Sequence, residues 1–157
     1  MAIRTSLAAA ALAAAALVPA SASAQKVAPD IKNLEVTPVA FKALATGGPV
    51  VLSGGGLVTY EITDSVDVRF TVRQEKTGKR SGGKCVAGKP KSKAATCTRT
   101  VDVPGGFTIV GIPGMNEFRF SGRLNDKKLA PGRYRLIGKS AEGTAARSSY
   151  TRFKIVK

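Results

Sequence analysis

The sequence predicts an all-β domain of the two-sheet sandwich type, and three observations carry that expectation. Apolar and polar residues alternate with period two over most of the chain from Leu34 to Val156, the pattern of strands buried on one face. Gly and Pro punctuate the alternation, as at Pro104-Gly105-Gly106 and Pro113-Gly114, where turns are expected. No segment beyond the first two dozen residues carries a sustained helical stripe. At 157 residues with 43% apolar content, the chain has enough material for one packed core and too little for two ordinary domains.

Met1 to Ala24 opens with a basic residue at Arg4, continues as an Ala/Leu stretch from Leu7 to Val18 and ends on the small residues Ala22-Ser23-Ala24. This is the layout of a secretory signal peptide over 1–24, with cleavage expected before Gln25. The apolar stretch is shorter than the roughly 20 residues a bilayer core requires. The mature chain is therefore expected to lack a transmembrane segment and to be secreted, extracellular or associated with the cell surface. Residues 25–32, polar and holding Pro29, read as a flexible leader. The domain proper is expected over 33–157.

Within it, Val58, Tyr60 and Ile62 face one way in the run 57–62, and Val66, Val68, Phe70 and Val72 do so against Asp67, Arg69, Thr71 and Arg73 in the next. Asp64-Ser65 supplies a turn between them, so the two runs are expected to pair as a hairpin. Further strands are expected at 34–41, 98–103, 107–112, 116–121, 132–138 and 149–156, giving seven or eight antiparallel strands in two sheets. Outward positions carry Arg69, Arg73, Arg119, Arg133, Arg135, Arg152 and Lys154, a solvated charge that also discourages edge-to-edge pairing.

Leu129-Ala130-Pro131-Gly132-Arg133-Tyr134-Arg135-Leu136 resembles the L-x-P-G-x-Y segment that enters the penultimate strand of fibronectin type III and bacterial immunoglobulin-like domains. From about Asn33 to Lys157 the chain is similar to immunoglobulin-like modules of secreted actinobacterial proteins, a group of uncharacterised function. The resemblance implies an immunoglobulin-like β-sandwich. It also implies that Tyr134 is buried at the sheet corner with its hydroxyl bonded to nearby backbone, here expected between Asp126 and Leu129. It transfers no catalytic residue.

Between Arg73 and Arg99 the apolar alternation stops, so 74–97 reads as a long irregular loop. An insertion of that length needs a function or a staple. Cys85 and Cys97 are the only cysteines, and in an exported chain they are expected to be joined within the loop. The loop is also where the charge concentrates. The whole chain is +15, and removal of the segment holding Arg4 leaves +14. From Arg73 to Arg99 nine bases stand against Glu75 alone, a local surplus that attracts polyanions. Lys76, Lys79, Arg80, Lys84, Lys89, Lys91 and Lys93 are the candidate anion-binding residues; the alternative is a solvated charge run that keeps the loop soluble. With no aromatic residue among them to stack a base, specific nucleic-acid recognition is not expected.

The chain has no His, which excludes imidazole-based mechanisms such as Ser-His-Asp hydrolysis. Two thiolates fall short of a four-ligand metal shell, so neither a metal site nor a cofactor is expected. Gly78 to Lys84 matches a phosphate-binding loop until Cys85 replaces the Ser or Thr that would hold magnesium. Ser81-Gly82-Gly83-Lys84 and Lys76-Thr77-Gly78 match elements of penicillin-recognising enzymes, in reversed order and without S-D-N between them. Both are coincidences of a Gly/Lys-rich stretch. Glu61, Asp64 and Asp67 crowd the expected hairpin and read as surface and turn residues, with a cation site or paired carboxylates as the alternatives. The expected function is that of a non-catalytic binding or structural module at the cell surface, held by its basic loop to an anionic envelope polymer or an acidic protein. The alternative is a secreted enzyme accessory or inhibitor domain.

Overall fold

A computed structural model describes residues 28–93, 95–142 and 147–157. The expected signal peptide and the start of the leader lie outside the described residues. In chain order the strands are β1 (Lys32–Thr37), β2 (Ala40–Lys42), β3 (Val50–Val51), β4 (Gly56–Ile62), β5 (Val66–Ser81) and β6 (Lys84–Val86). They continue with β7 (Thr96–Gly111), β8 (Gly114–Phe120), β9 (Arg123–Leu124), β10 (Lys127–Lys128), β11 (Gly132–Ser140) and β12 (Ser148–Val156). No helix occurs among the described residues.

The strands form two principal sheets in a β-sandwich-like arrangement. The first has the order β1-β4-β8-β3; the second runs β2-β12-β11-β5, with β7 and the short β6 both pairing β5. The pairs are antiparallel except β2 with β12. The chain moves from the first sheet to the second at Pro38, between β1 and β2, where a residue without an N–H interrupts the ladder.

Alternation decides which side chains enter the core. In β4 Val58, Tyr60 and Ile62 are buried, and in β5 Val66, Val68, Phe70 and Val72. The two sets meet across the core rather than side by side: the Tyr60 and Phe70 rings contact edge-on at 5.5 Å. The expected hairpin of 57–62 with 66–72 is therefore corrected. β4 pairs with β1 and β8, β5 pairs with β11 and β7, and Thr63 to Ser65 carries the chain between sheets. Period-two alternation fixes the buried face of a strand and leaves its neighbour undetermined.

All six Phe and two of the three Tyr belong to the core cluster. Phe118 reaches from the first sheet to Phe70 of the second at 4.9 Å, in the edge-on geometry that aromatic pairs favour. Ile31, in the segment read as leader, also enters the core, with its Cδ1 3.2 Å from where a Cβ on Gly138 would stand. That apolar contact packs the end of the expected leader.

Three further expectations change. The strand expected at 34–41 is two, β1 and β2, which join different sheets on either side of Pro38. The strands expected at 98–103 and 107–112 are one strand, β7, with Pro104-Gly105-Gly106 as an irregularity inside it. Phe70 pairs with Phe107 and Val72 with Val103, so extra residues bulge from the edge of the sheet. A Cβ on Gly106 would stand 2.6 Å from the Phe70 carbonyl oxygen, which explains a glycine there. The segment 74–97, expected as an irregular loop, is strand over much of its length. Pairing between β11 and β5 ends at Arg133 with Glu75, whereas β5 and β7 continue together to Lys79 with Thr96. Beyond Glu75 the pair projects as a ribbon, and its backbone ladder persists without an apolar face because no second sheet lies beneath it.

Candidate anion-binding surface

The ribbon turns at Gly82-Gly83, with φ +54° and +76°, a pair of positive values that two-residue hairpin turns require. β6 then returns along β5, pairing Cys85 with Arg80, and the chain re-enters as β7 with Cys97 opposite Gly78. Cys85 and Cys97 form a disulfide, their Cα atoms 5.9 Å apart. Gly78 makes room for it: a Cβ there would stand 2.9 Å from Cys85 Sγ and 2.5 Å from the Val86 carbonyl oxygen.

All seven candidate anion-binding residues are exposed. Lys76, Lys79 and Arg80 lie on β5 and Lys84 on β6, while Lys89, Lys91 and Lys93 follow β6 in the connection to β7. Strand alternation puts Lys79 on one face of the ribbon and Lys76 and Arg80 on the other. Among the described residues none of the seven forms an ion pair. Charge is thus spread over both faces of a narrow projection.

A second cationic surface lies on the outer face of the second sheet, where the ribbon begins. The register sets Arg133 beside Lys154 and Glu75, and Arg135 beside Arg152 and Arg73. Arg135 Nε donates to Glu75 Oε1 at 2.6 Å, and Arg152 Nε donates to the same oxygen at 3.1 Å. The hydrogen bond from Arg135 holds the Glu75 carboxyl below the usual carboxylate range, against the opposing effect of burial. Arg73 pairs with Asp102. Tyr150 stands among these cations, with the guanidinium carbons of Arg135 and Arg152 at 5.1 and 5.9 Å from its ring centroid. A shallow groove of about 490 Å³ runs past Glu75, Arg133, Arg135, Arg152 and Lys154. Arg119, grouped by alternation with the outward arginines, lies on β8 in the other sheet and pairs with Leu57, so it is not part of this face.

Tyr134 is buried and its hydroxyl donates to the Ala130 carbonyl at 2.7 Å, one residue beyond the range expected from the sequence. The tight Pro131-Gly132 step brings that carbonyl within reach. Gln74 Nε2 donates to the same hydroxyl at 3.2 Å. Burial pushes the Tyr134 phenol up.

The three carboxylates of the expected hairpin separate with their sheets. Glu61 on β4 accepts from Asn33 Nδ2 at 3.0 Å, Asp64 accepts from Thr63 Oγ1 at 2.8 Å, and Asp67 faces solvent from β5. Among the described residues no three of His, Cys, Asp and Glu form a metal-binding group, and no helix is long and apolar enough to cross a membrane. Sequence reasoning missed Glu75 and Tyr150 as members of a site. Glu75 falls where the apolar alternation has stopped and Tyr150 lies between the half-buried Ser149 and Thr151, so their shared neighbours came only from the strand register.

Comparison with known protein families finds none that matches this chain, and comparison with curated proteins finds no similar one.

Proposed function

We propose that this protein is an exported, non-catalytic binding module of immunoglobulin-like fold that associates at the cell surface with anionic polymer or an acidic protein through its basic ribbon. The observation that carries the reading is the set of seven exposed cations, free of ion pairs among the described residues, on a ribbon closed by a disulfide. A charge surplus of this kind attracts polyanions over distance. Its spread over two faces favours weak association with little chemical selectivity.

The immunoglobulin-like reading is supported by the chain's passage from β1 to β2, which runs parallel to the last strand, and by the local bond between Tyr134 and Ala130. Export is supported by the disulfide, which oxidising compartments favour, together with the apolar N-terminal stretch. Replacing the seven ribbon cations by Gln should leave the fold intact and release the protein from isolated envelopes or a polyanionic matrix at low salt. Raised ionic strength should have the same effect on the wild type, because exposed charges are screened within about 10 Å at 0.1 M. Equal retention of variant and parent would dismiss the ribbon. N-terminal sequencing of exported protein should begin at Gln25.

A further inference from the structure

Tyr150 is the one aromatic residue of the chain outside the core, and it is 51% exposed. An aromatic ring left on a polar sheet face is unusual in a molecule that buries every other one. Around it the cations differ from those of the ribbon in being positioned. Arg135 and Arg152 are both fixed by Glu75 through Nε, and neither donates a hydrogen bond to the protein from its Nη atoms among the described residues. The Arg152 side chain is also 63% exposed, against 26% for Arg135, so the terminal N–H groups of Arg152 above all are available to a planar oxyanion, which guanidinium binds through paired hydrogen bonds. Arg133 and Lys154, adjacent in register, form no ion pair among the described residues.

We infer that this outer face is a second anion-binding site, separate from the ribbon, and that its ligand is an acidic polysaccharide: a linear chain of sugar rings bearing carboxylate or sulfate groups. The backbone positions that carry the cations form a grid set by the sheet, about 4.8 Å apart across strands and about 6.8 Å between successive outward positions along one. A flat grid matches repeated oxyanions on an extended chain, and Tyr150 offers an apolar ring face to the C–H side of a sugar. Nucleic acid fits less well. Duplex readout needs an element that enters a groove, and single strands are held by successive stacking platforms, of which this face has one. Because Glu75 already orders two of the guanidiniums, binding loses less side-chain freedom than it would on the ribbon. The inference does not rest on the ribbon's own role.

The test titrates the full chain, in wild-type, Arg133→Gln/Lys154→Gln, Tyr150→Leu and ribbon-neutralised forms, with a sulfated oligosaccharide, linear inorganic polyphosphate, single-stranded DNA and vesicles containing phosphatidylserine. The double variant should bind the oligosaccharide about tenfold more weakly, and the ribbon-neutralised form should retain the greater part of that affinity. Tyr150→Leu should weaken the oligosaccharide severalfold and leave polyphosphate unchanged, since polyphosphate has no C–H face. Thermal unfolding of each variant checks the fold, and Tyr150→Phe, which keeps the ring, should restore oligosaccharide binding.

Unchanged affinity in the double variant would overturn the site. Loss of all binding in the ribbon-neutralised form alone would reassign it to the ribbon. Equal effects of Tyr150→Leu on oligosaccharide and polyphosphate, or DNA or vesicles bound as tightly as the oligosaccharide, would overturn the polysaccharide assignment.

Discussion

The Tyr134 hydroxyl donates to the carbonyl of Ala130, four residues earlier, at 2.7 Å, and so ties the entry of β11 to the turn before it. Tyr134→Phe removes this part-buried bond and the acceptor of Gln74 Nε2 and should cost about 1 kcal/mol, read from chemical denaturation. Tyr60 is the internal control. Its hydroxyl is buried without a partner among the described residues, and burial pushes its phenol up. Tyr60→Phe should therefore leave stability unchanged or raise it, because a group that loses its water and gains no bond is removed. Equal losses at both positions would mean that the Tyr134 bond adds nothing beyond ring packing.

Gly78 should be intolerant of any side chain. The Cβ of Gly78→Ala would meet Cys85 Sγ at 2.9 Å and the Val86 carbonyl oxygen at 2.5 Å, and the backbone oxygen cannot swing aside. The variant should either displace β6 or open the tip, so that dithiothreitol reduces the Cys85–Cys97 bridge faster than in the parent. The bridge closes a separation of 12 residues, and its loss should cost about 3 kcal/mol through the unfolded chain. A reduction rate identical to wild type would show that the tip accommodates the methyl group.

Acid should weaken the sheet at Glu75. Its folded pKa lies below that of the unfolded chain, chiefly through the hydrogen bond from Arg135. The stabilisation is therefore present above the ordinary carboxylate range and is lost as pH falls through the depressed value. Glu75→Gln should flatten the acid limb of a plot of unfolding free energy against pH. A limb equally steep in the variant would place the acid sensitivity elsewhere.

Arg123 should matter for stability rather than for binding anions. Its Nε donates to Gly47 O at 2.8 Å and its Nη1 to Ala45 O at 2.6 Å, while Nη2 donates to Asp126 O. The guanidinium thus joins carbonyls of the connection between β2 and β3 to the turn between β9 and β10. Arg123→Gln should lower the thermal midpoint and leave retention on a polyanionic matrix close to wild type. The opposite pattern would move this cation from scaffold to surface.

Sequence alone determined the all-β class, most of the core and the disulfide, because each depends on a local or compositional quantity. Alternation marks the buried face of a strand wherever a core lies beneath it, as at Val66 to Val72 and Tyr134 to Leu136. Two cysteines in a chain with an export-like start leave one pairing. Tertiary structure decided the neighbours. The 57–62 and 66–72 runs carry the same alternation whether they pair as a hairpin or face each other across the core, and only the packing of Tyr60 on Phe70 distinguishes the two. The ribbon was illegible as strand because Lys76, Gly78 and Arg80 occupy the inner positions where no opposing sheet demands apolar side chains. Arg133, Arg135, Tyr150 and Arg152 come from the consecutive strands β11 and β12, and Glu75 from β5, far earlier in the chain. Their assembly is a consequence of register, which no local pattern encodes.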